Sequence, residues 1–307
     1  MRLDGIKRLD EGRSLNPSDI HDIEQKVTKN PNNCEDRVRL LGYYTRHSSS
    51  KQNHEKWLQN CLWLISKHAE HPSLFWPEAQ LIGTFSEQRT QQLQSAWEKV
   101  LLTRKRDVDI LSNAASFFST IDPMQSIKLI SEARAIEPDT TELADDCALY
   151  LSLVVNKVST SEEDQFLLSL ADNLLPKVSN ELTVLETQLK LYLKQLSLPQ
   201  VKEKALKILE LKSSSHLAHT ALGLVYLEEG AIIQAKEELM RSVDSKSFYS
   251  SPFQFALAQK LLSAGEKNVV CQYLAKCWKV WPGGRQFLII WTILIRFGLK
   301  PSMKVGF

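Results

Sequence analysis

The stretch "ALGLVYLEEGAIIQAKEEL", Ala221 to Leu239, constrains the fold of this chain more than any other. Leu217, Ala221, Leu222, Leu224, Val225 and Tyr226 recur at spacings of three and four, and Ile232, Ala235, Leu239 and Val243 do the same. That is the period of two amphipathic helices. Gly230 lies between them, where a helix commonly ends in a left-handed residue that glycine adopts at least cost. The stretch predicts an αα-hairpin. Gly223 and Ala235 are small enough to let the two axes approach, and Leu222, Tyr226 and Leu239 fill the space around them. The pattern then returns 35 residues later: Leu257, Ala258, Leu261, Gly265 and Leu274 stand where Leu222, Gly223, Tyr226, Gly230 and Leu239 stood. Val270 replaces Ala235, and Pro282 closes the second unit. A period of about 35 residues marks a stacked helical repeat.

The composition agrees. Hydrophobic residues make up 43% of the 307 and charged residues 24%, so the chain can bury a core. Glycine and proline number only 11 each, which suits long helices on short connections. Lys and Arg total 38 against 36 Asp and Glu, a net charge of +2 that gives no general pull toward nucleic acid or an anionic membrane. Five cysteines (Cys34, Cys61, Cys147, Cys271 and Cys277) are irregularly spaced and form no CxxC. That predicts free thiols in a reducing compartment. The N-terminal MRLDGIKRLDEGRSLNP lacks the apolar core of a secretory signal, so the expected address is cytoplasmic.

Leu222-Gly223, Tyr226, Gly230, Ala235, Leu239 and Ser242 resemble the tetratricopeptide repeat consensus in order and spacing. "SNAASFFSTIDPMQSIKLISEARAIEP" resembles it as well, with Ala114 at the small position, Phe117 at the aromatic one, Ser126, Ile130 and Ala133 on the second helix, and Pro138 closing. The resemblance is clearest over residues 107–138 and 216–282. It implies an all-α, right-handed α-solenoid of about seven tetratricopeptide-like hairpins with a hydrophobic C-terminal helix. Unit ends are expected near Pro31, Pro72, Arg104 to Asp107, Pro138, Pro176 to Ser179, Ser213 to Ser215, Ser247 and Pro282. Residues 139–212 match the consensus poorly while keeping helical periodicity, so regular repeats and an irregular helical region both stay open there. In "TSEEDQFLLSLADNLL" a Ser161 cap followed by acids predicts a helix start. The expected organisation is an N-terminal extension at 1–17, a repeat domain at 18–282, and a capping helix and tail at 283–307.

Motifs of catalysis are missing. The chain has no GxGxxG, GxxxxGK, GxSxG or HExxH. His68 and His71 are three apart but lack a third ligand, and His216 and His219 read as surface residues opening a repeat helix. No metal and no cofactor are expected. "LLTRKRD" reads as a charged loop at a helix C-terminus, since a phosphate contact would need more than Arg104 to Arg106. Trp57, Trp63, Trp278 and Trp281 sit in apolar helical patterns where packing is the default. The paired carboxylates Asp145-Asp146, Glu162-Glu163 and Glu237-Glu238 read as solvated faces.

The family resemblance implies a concave groove lined by the first helix of each hairpin. The matching positions here are Val108, Leu111, Ala115 and Phe118; Leu217, Thr220, Leu224 and Leu227; and Pro252, Phe255, Gln259 and Leu262. They are mainly apolar, which argues against a clamp for carboxylates and for a partner peptide or amphipathic helix. In "RQFLIIWTILIRFGLK" the apolar residues run nearly all round a helix too short for a bilayer span. If Phe287, Ile290, Trp291 and Leu294 pack inward, then Leu288, Ile289, Ile293 and Ile295 form a second face expected to meet another chain, the tail or a partner. Self-association there stays open. The sequence thus predicts a non-catalytic interaction scaffold or adaptor, with a protein or peptide partner, no nucleic acid and no stable membrane insertion. The alternative is an enzyme or enzyme subunit with a site in a helical cavity.

Overall fold

The computed structural model describes residues 2–76, 79, 86–155, 160–243 and 252–280. Among these residues there are fifteen α-helices and no strand. The chain divides into two compact units, Met1–Val158 with Pro176–Ser179, and Ser159–Leu175 with Asn180–Phe307.

The first unit holds α1 (Arg2–Arg13), α2 (Pro17–Lys29), α3 (Cys34–Arg46), α4 (Lys51–Lys67), α5 (Glu87–Thr103), α6 (Val108–Ile121), α7 (Pro123–Ile136) and α8 (Thr141–Val154). A 3-10 turn, Pro72–Phe75, follows α4. The stretch set apart as an N-terminal extension carries α1, which packs on α3 and on the 3-10 turn. Its sequence, RLDGIKRLDEGR, is too charged to show this. Glycines make the contact: a Cβ at Gly12 would fall 2.0 Å from the Arg39 carbonyl oxygen, and one at Gly42 of α3 would fall 2.1 Å from that of Leu9. The two backbones meet where side chains would hold them apart.

Short polar junctions set the helix ends. Asp122 alone separates α6 from α7. Its backbone N–H closes α6 on Phe118, and its side chain accepts from the N–H of Gln125 to open α7, with Pro123 in the first turn. Ser126 Oγ then donates to the Ala115 carbonyl at 2.7 Å, tying the hairpin from within. The core of the unit is aromatic. Trp57, Trp97, Tyr44 and Phe117 are fully buried, and the Trp97 and Phe117 rings lie 6.4 Å apart.

The second unit holds α9 (Ser161–Leu174), α10 (Glu181–Lys194), α11 (Leu198–Leu211), α12 (His216–Glu228), α13 (Ile232–Arg241), α14 (Pro252–Ser263) and α15 (Lys267–Val280). The cap of α9 is Thr160, one residue before the expected Ser161. Thr160 and Glu163 form a capping box, each side chain accepting from the other's backbone N–H.

The 35-residue period is visible in backbone hydrogen bonds. Gly230 and Gly265 both have positive φ, 75° and 89°. After α12 the N–H of Ala231 donates to Tyr226 at 2.7 Å; after α14 the N–H of Glu266 donates to Leu261 at 3.0 Å. This is the Schellman closure, which needs a left-handed residue just before its last donor. The same closure follows α10, where Ser197 donates to Tyr192 at 3.1 Å. There the left-handed residue is Leu196, with φ 54°. The consensus-poor α10–α11 hairpin therefore has the same turn as its neighbours. Gly223 is small for a wider reason than its hairpin: a Cβ there would lie 2.5 Å from a Leu257 methyl carbon of α14 and 3.4 Å from the Cβ of Glu238 on α13. It makes room chiefly for the next hairpin.

Candidate functional site

The expected groove positions are mostly spent on packing. Leu111, Phe118, Thr220 and Leu262 are buried, as is Ala115. Val108, Leu217, Leu224 and Leu227 are half-buried. Leu217 packs on the core beneath α10–α12 and Leu227 on that of α13–α15, while Leu224 touches both. Gln259 is exposed. The side chain of Phe255 and all of Leu288, Ile289, Ile293 and Ile295 lie outside the described residues.

A different trough is open. Between α4 and α5 runs a groove of about 910 Å³. α4 contributes Leu62, Trp63 and Ser66, beside its buried face of Trp57, Cys61, Leu64 and Ile65. α5 contributes Gln88, Gln91, Gln92 and Ser95, then Ala96, Lys99, Val100 and Thr103. Their spacing of three and four makes one continuous stripe about 22 Å long at 1.5 Å per residue. Of the seventeen residues of α5 only Leu93 and Trp97 are buried. The helix is held by two anchors, and the stripe is left to solvent.

Trp63 is the half-buried aromatic of this groove, and its position is fixed from beneath. The Arg37 guanidinium lies 4.3 Å from the ring centroid. Arg37 is itself held by Nη1 donating to Asn60 Oδ1 at 3.0 Å and Nε donating to the Pro31 carbonyl at 2.9 Å. Burial lowers the pKa of Arg37, and stacking on the indole returns part of what water supplied. The His68 ring lies 5.1 Å away.

At the end of α5 the basic run has two kinds of member. Arg104 is engaged, with Nη1 2.7 Å from Glu70 Oε2 and Nη2 2.8 Å from Asp107 Oδ2. Lys105 and Arg106 are exposed and make no ion pair among the described residues, and the same holds for Lys99 in the stripe.

Two residues read as surface groups prove to be a buried pair. His219 is 8% exposed and Glu238 6%. Nδ1 of His219 lies 2.6 Å from Glu238 Oε2, Nε2 lies 2.9 Å from the Ser213 carbonyl oxygen, and Glu238 Oε1 accepts from Arg241 at 2.8 Å. The signal was present in α13 and its cap, since Ala235, Glu238, Leu239 and Ser242 are all buried at helical spacing. Both ring nitrogens and both carboxylate oxygens are occupied within the fold, so the pair joins α12 to α13.

Cys34, Cys61, Cys147 and Cys271 are free. Burial raises the pKa of the Cys61 thiol and pushes that of Cys147 up to about 11. Among the described residues no cluster of three His, Cys, Asp or Glu could hold a metal ion, and no helix is long and apolar enough to cross a membrane.

Helix–turn–helix units of this length, closed by the same left-handed turn at intervals of about 35 residues, are tetratricopeptide-like. Solved structures of similar build include Pseudomonas aeruginosa PilF, at 12% identity over 77% of this chain and 99% of that one, TM-score 0.44. PilW, described as a widely conserved type IV pilus biogenesis factor, is 12% identical over 75% of this chain and 98% of its own, TM-score 0.46. The P58(IPK) TPR domain is 15% identical over 86% and 99%, TM-score 0.29. No family model and no curated protein matches the chain.

Proposed function

We propose that this chain is a non-catalytic interaction scaffold that receives an extended polypeptide segment in the groove between α4 and α5. The supporting observation is the stripe itself: Gln88, Gln91, Gln92 and Ser95 are exposed along one helix face, opposite half-buried Trp63. A glutamine amide both donates and accepts, which suits the alternating N–H and C=O groups of an extended chain. A partner helix has its own backbone satisfied and would leave these amides without a use, its anchors being limited to Leu62, Trp63, Ala96 and Val100. None of the described lining residues is His, Cys, Asp or Glu, which supports binding over chemistry. The cytoplasmic address belongs to the same proposal and rests on the free thiols.

The test is selection of random dodecapeptides displayed on phage against the full chain and against Ser95→Trp, which fills the groove from an exposed position. Enriched peptides are expected to bind Ser95→Trp at least about tenfold more weakly, with its circular dichroism melt unchanged. Equal binding to both proteins would place the ligand elsewhere. The absence of enriched peptides would remove the proposal.

A further inference from the structure

We infer that the segment received by the α4–α5 groove is acidic where it meets the C-terminal end of α5; the inference rests on the peptide-groove reading above. The stripe is uncharged through Gln88, Gln91, Gln92 and Ser95 and then reaches Lys99, with Thr103 the last lining residue. Lys105 and Arg106 follow directly in the loop. Two of the acids nearby are held by a cation and a third by an amide. Glu70 and Asp107 are both held by Arg104, and Glu98 accepts from Gln94 at 2.8 Å. Three exposed cations therefore stand at one end of the trough with no partner of their own among the described residues.

A basic loop after a helix also complements the helix dipole, and that effect sets the scale of the alternative. The terminal carbonyls carry about half a negative charge, and Arg104 sits nearest to them as the capping residue. Glu98 beside Lys99 offsets one of the three further charges, and the two that remain exceed what the dipole needs, so the end of the groove stays positive. At the other end Glu87, the first residue of α5, is acidic. This polarity selects direction as well as composition: a segment lies with its acids toward Lys99 and an apolar side chain against Trp63. A single-stranded nucleic acid fits less well, because its phosphates need cations along the whole track, and the stripe carries only Lys99.

The same peptide selection, repeated on the full chain and on a triple variant with Lys99→Glu, Lys105→Glu and Arg106→Glu, decides the matter. All three positions are exposed, so the variant is expected to keep its fold at a modest cost from the helix dipole, which its circular dichroism melt checks. The wild type is expected to enrich peptides with Asp and Glu toward one end. The triple variant should bind them about tenfold or more weakly and should enrich Lys and Arg in their place. Peptides lost in Ser95→Trp yet lacking acids, or indifferent to charge reversal, would overturn the acidic assignment and leave the peptide groove standing. Absence of any peptide sensitive to Ser95→Trp would overturn both. Binding of a twelve-nucleotide oligothymidine that is lost in Trp63→Ala would also overturn both, in favour of nucleic acid.

Discussion

His219 and Glu238 show how a single buried contact can outweigh a surface full of charges. The exposed ion pairs of this chain, such as Lys202 with Glu229, contribute little because water screens them. The His219–Glu238 pair is almost wholly withdrawn from water, so removing one partner leaves the other buried with one of its two polar atoms unpaired. Glu238→Ala and His219→Ala are each expected to lower the stability of the second unit by about 3 kcal/mol. The double variant should cost less than the sum by about 1–3 kcal/mol, because its second deletion removes an already orphaned group. Urea unfolding of the four proteins measures this. Strict additivity would mean that the two side chains act separately. Arg241 donates to the same carboxylate from the surface, so Arg241→Ala should cost much less than either.

At the scale of the element, the three related turns of the second unit differ in their left-handed residue and so form a natural comparison. Gly230 and Gly265 adopt positive φ without hindrance, whereas Leu196 does so with a Cβ. A left-handed non-glycine residue costs roughly 1 kcal/mol. Leu196 is 76% exposed and recovers little by packing. Leu196→Gly is therefore expected to stabilise the chain by about 1 kcal/mol, and Gly230→Ala to destabilise it by about the same amount. A cavity is not at issue, since nothing lies within 4 Å of the Gly230 Cβ position. Thermal melts of the two variants check the opposed signs; a loss of stability in Leu196→Gly would show that the leucine packs usefully. These turns also mark what the sequence could tell. Glycine announces the turns after α12 and α14, but no composition rule announces one made with leucine, so the sequence leaves α10–α11 open between a regular repeat and an irregular region. Glu238 was misread because its charge was given more weight than its place beside Ala235 and Leu239. The packing of α1 is hidden because its close approach is made by backbone at Gly12, with buried Leu9 set in a strongly charged sequence. The groove went unread for a related reason: glutamines and serines look like a solvated face whether or not a second wall stands opposite. The legible clue was the poverty of apolar residues in a helix as long as α5.

For the whole molecule, a group of perturbed acids in the first unit predicts an order of events on acidification. Glu11, Glu24 and Glu70 are each held below the ordinary value of 4.5, and all three belong to the first unit. Hydrogen bonds from Arg8 and then Arg39 lower the pKa of Glu11. Burial resists ionisation of Glu24 and Glu70, but it is outweighed by Lys56 and Tyr44 at Glu24, and by backbone and Arg104 hydrogen bonds at Glu70. A carboxyl whose pKa is lower in the fold than in the unfolded chain stabilises the fold fully above the unfolded value. That contribution is lost as pH falls through the folded value. His71, also in the first unit, is held below its ordinary 6.5, chiefly by burial. It favours the neutral ring in the fold, so its contribution begins to fade at higher pH, as the unfolded chain starts to take up a proton. All four effects run in the same direction and in the same unit. Between about pH 6.5 and 3, α3 and α4 are expected to lose protection at higher pH than α10 to α12. Pulse-labelling hydrogen exchange at fixed labelling pH, after equilibration across that range, reads the order peptide by peptide. Simultaneous loss in both units would mean that they unfold as one cooperative body, and earlier loss from α10 to α12 would reverse the assignment. The α4–α5 groove lies in the acid-sensitive unit, so peptide capture should fail along with α3 and α4 while the helices of the second unit are still protected.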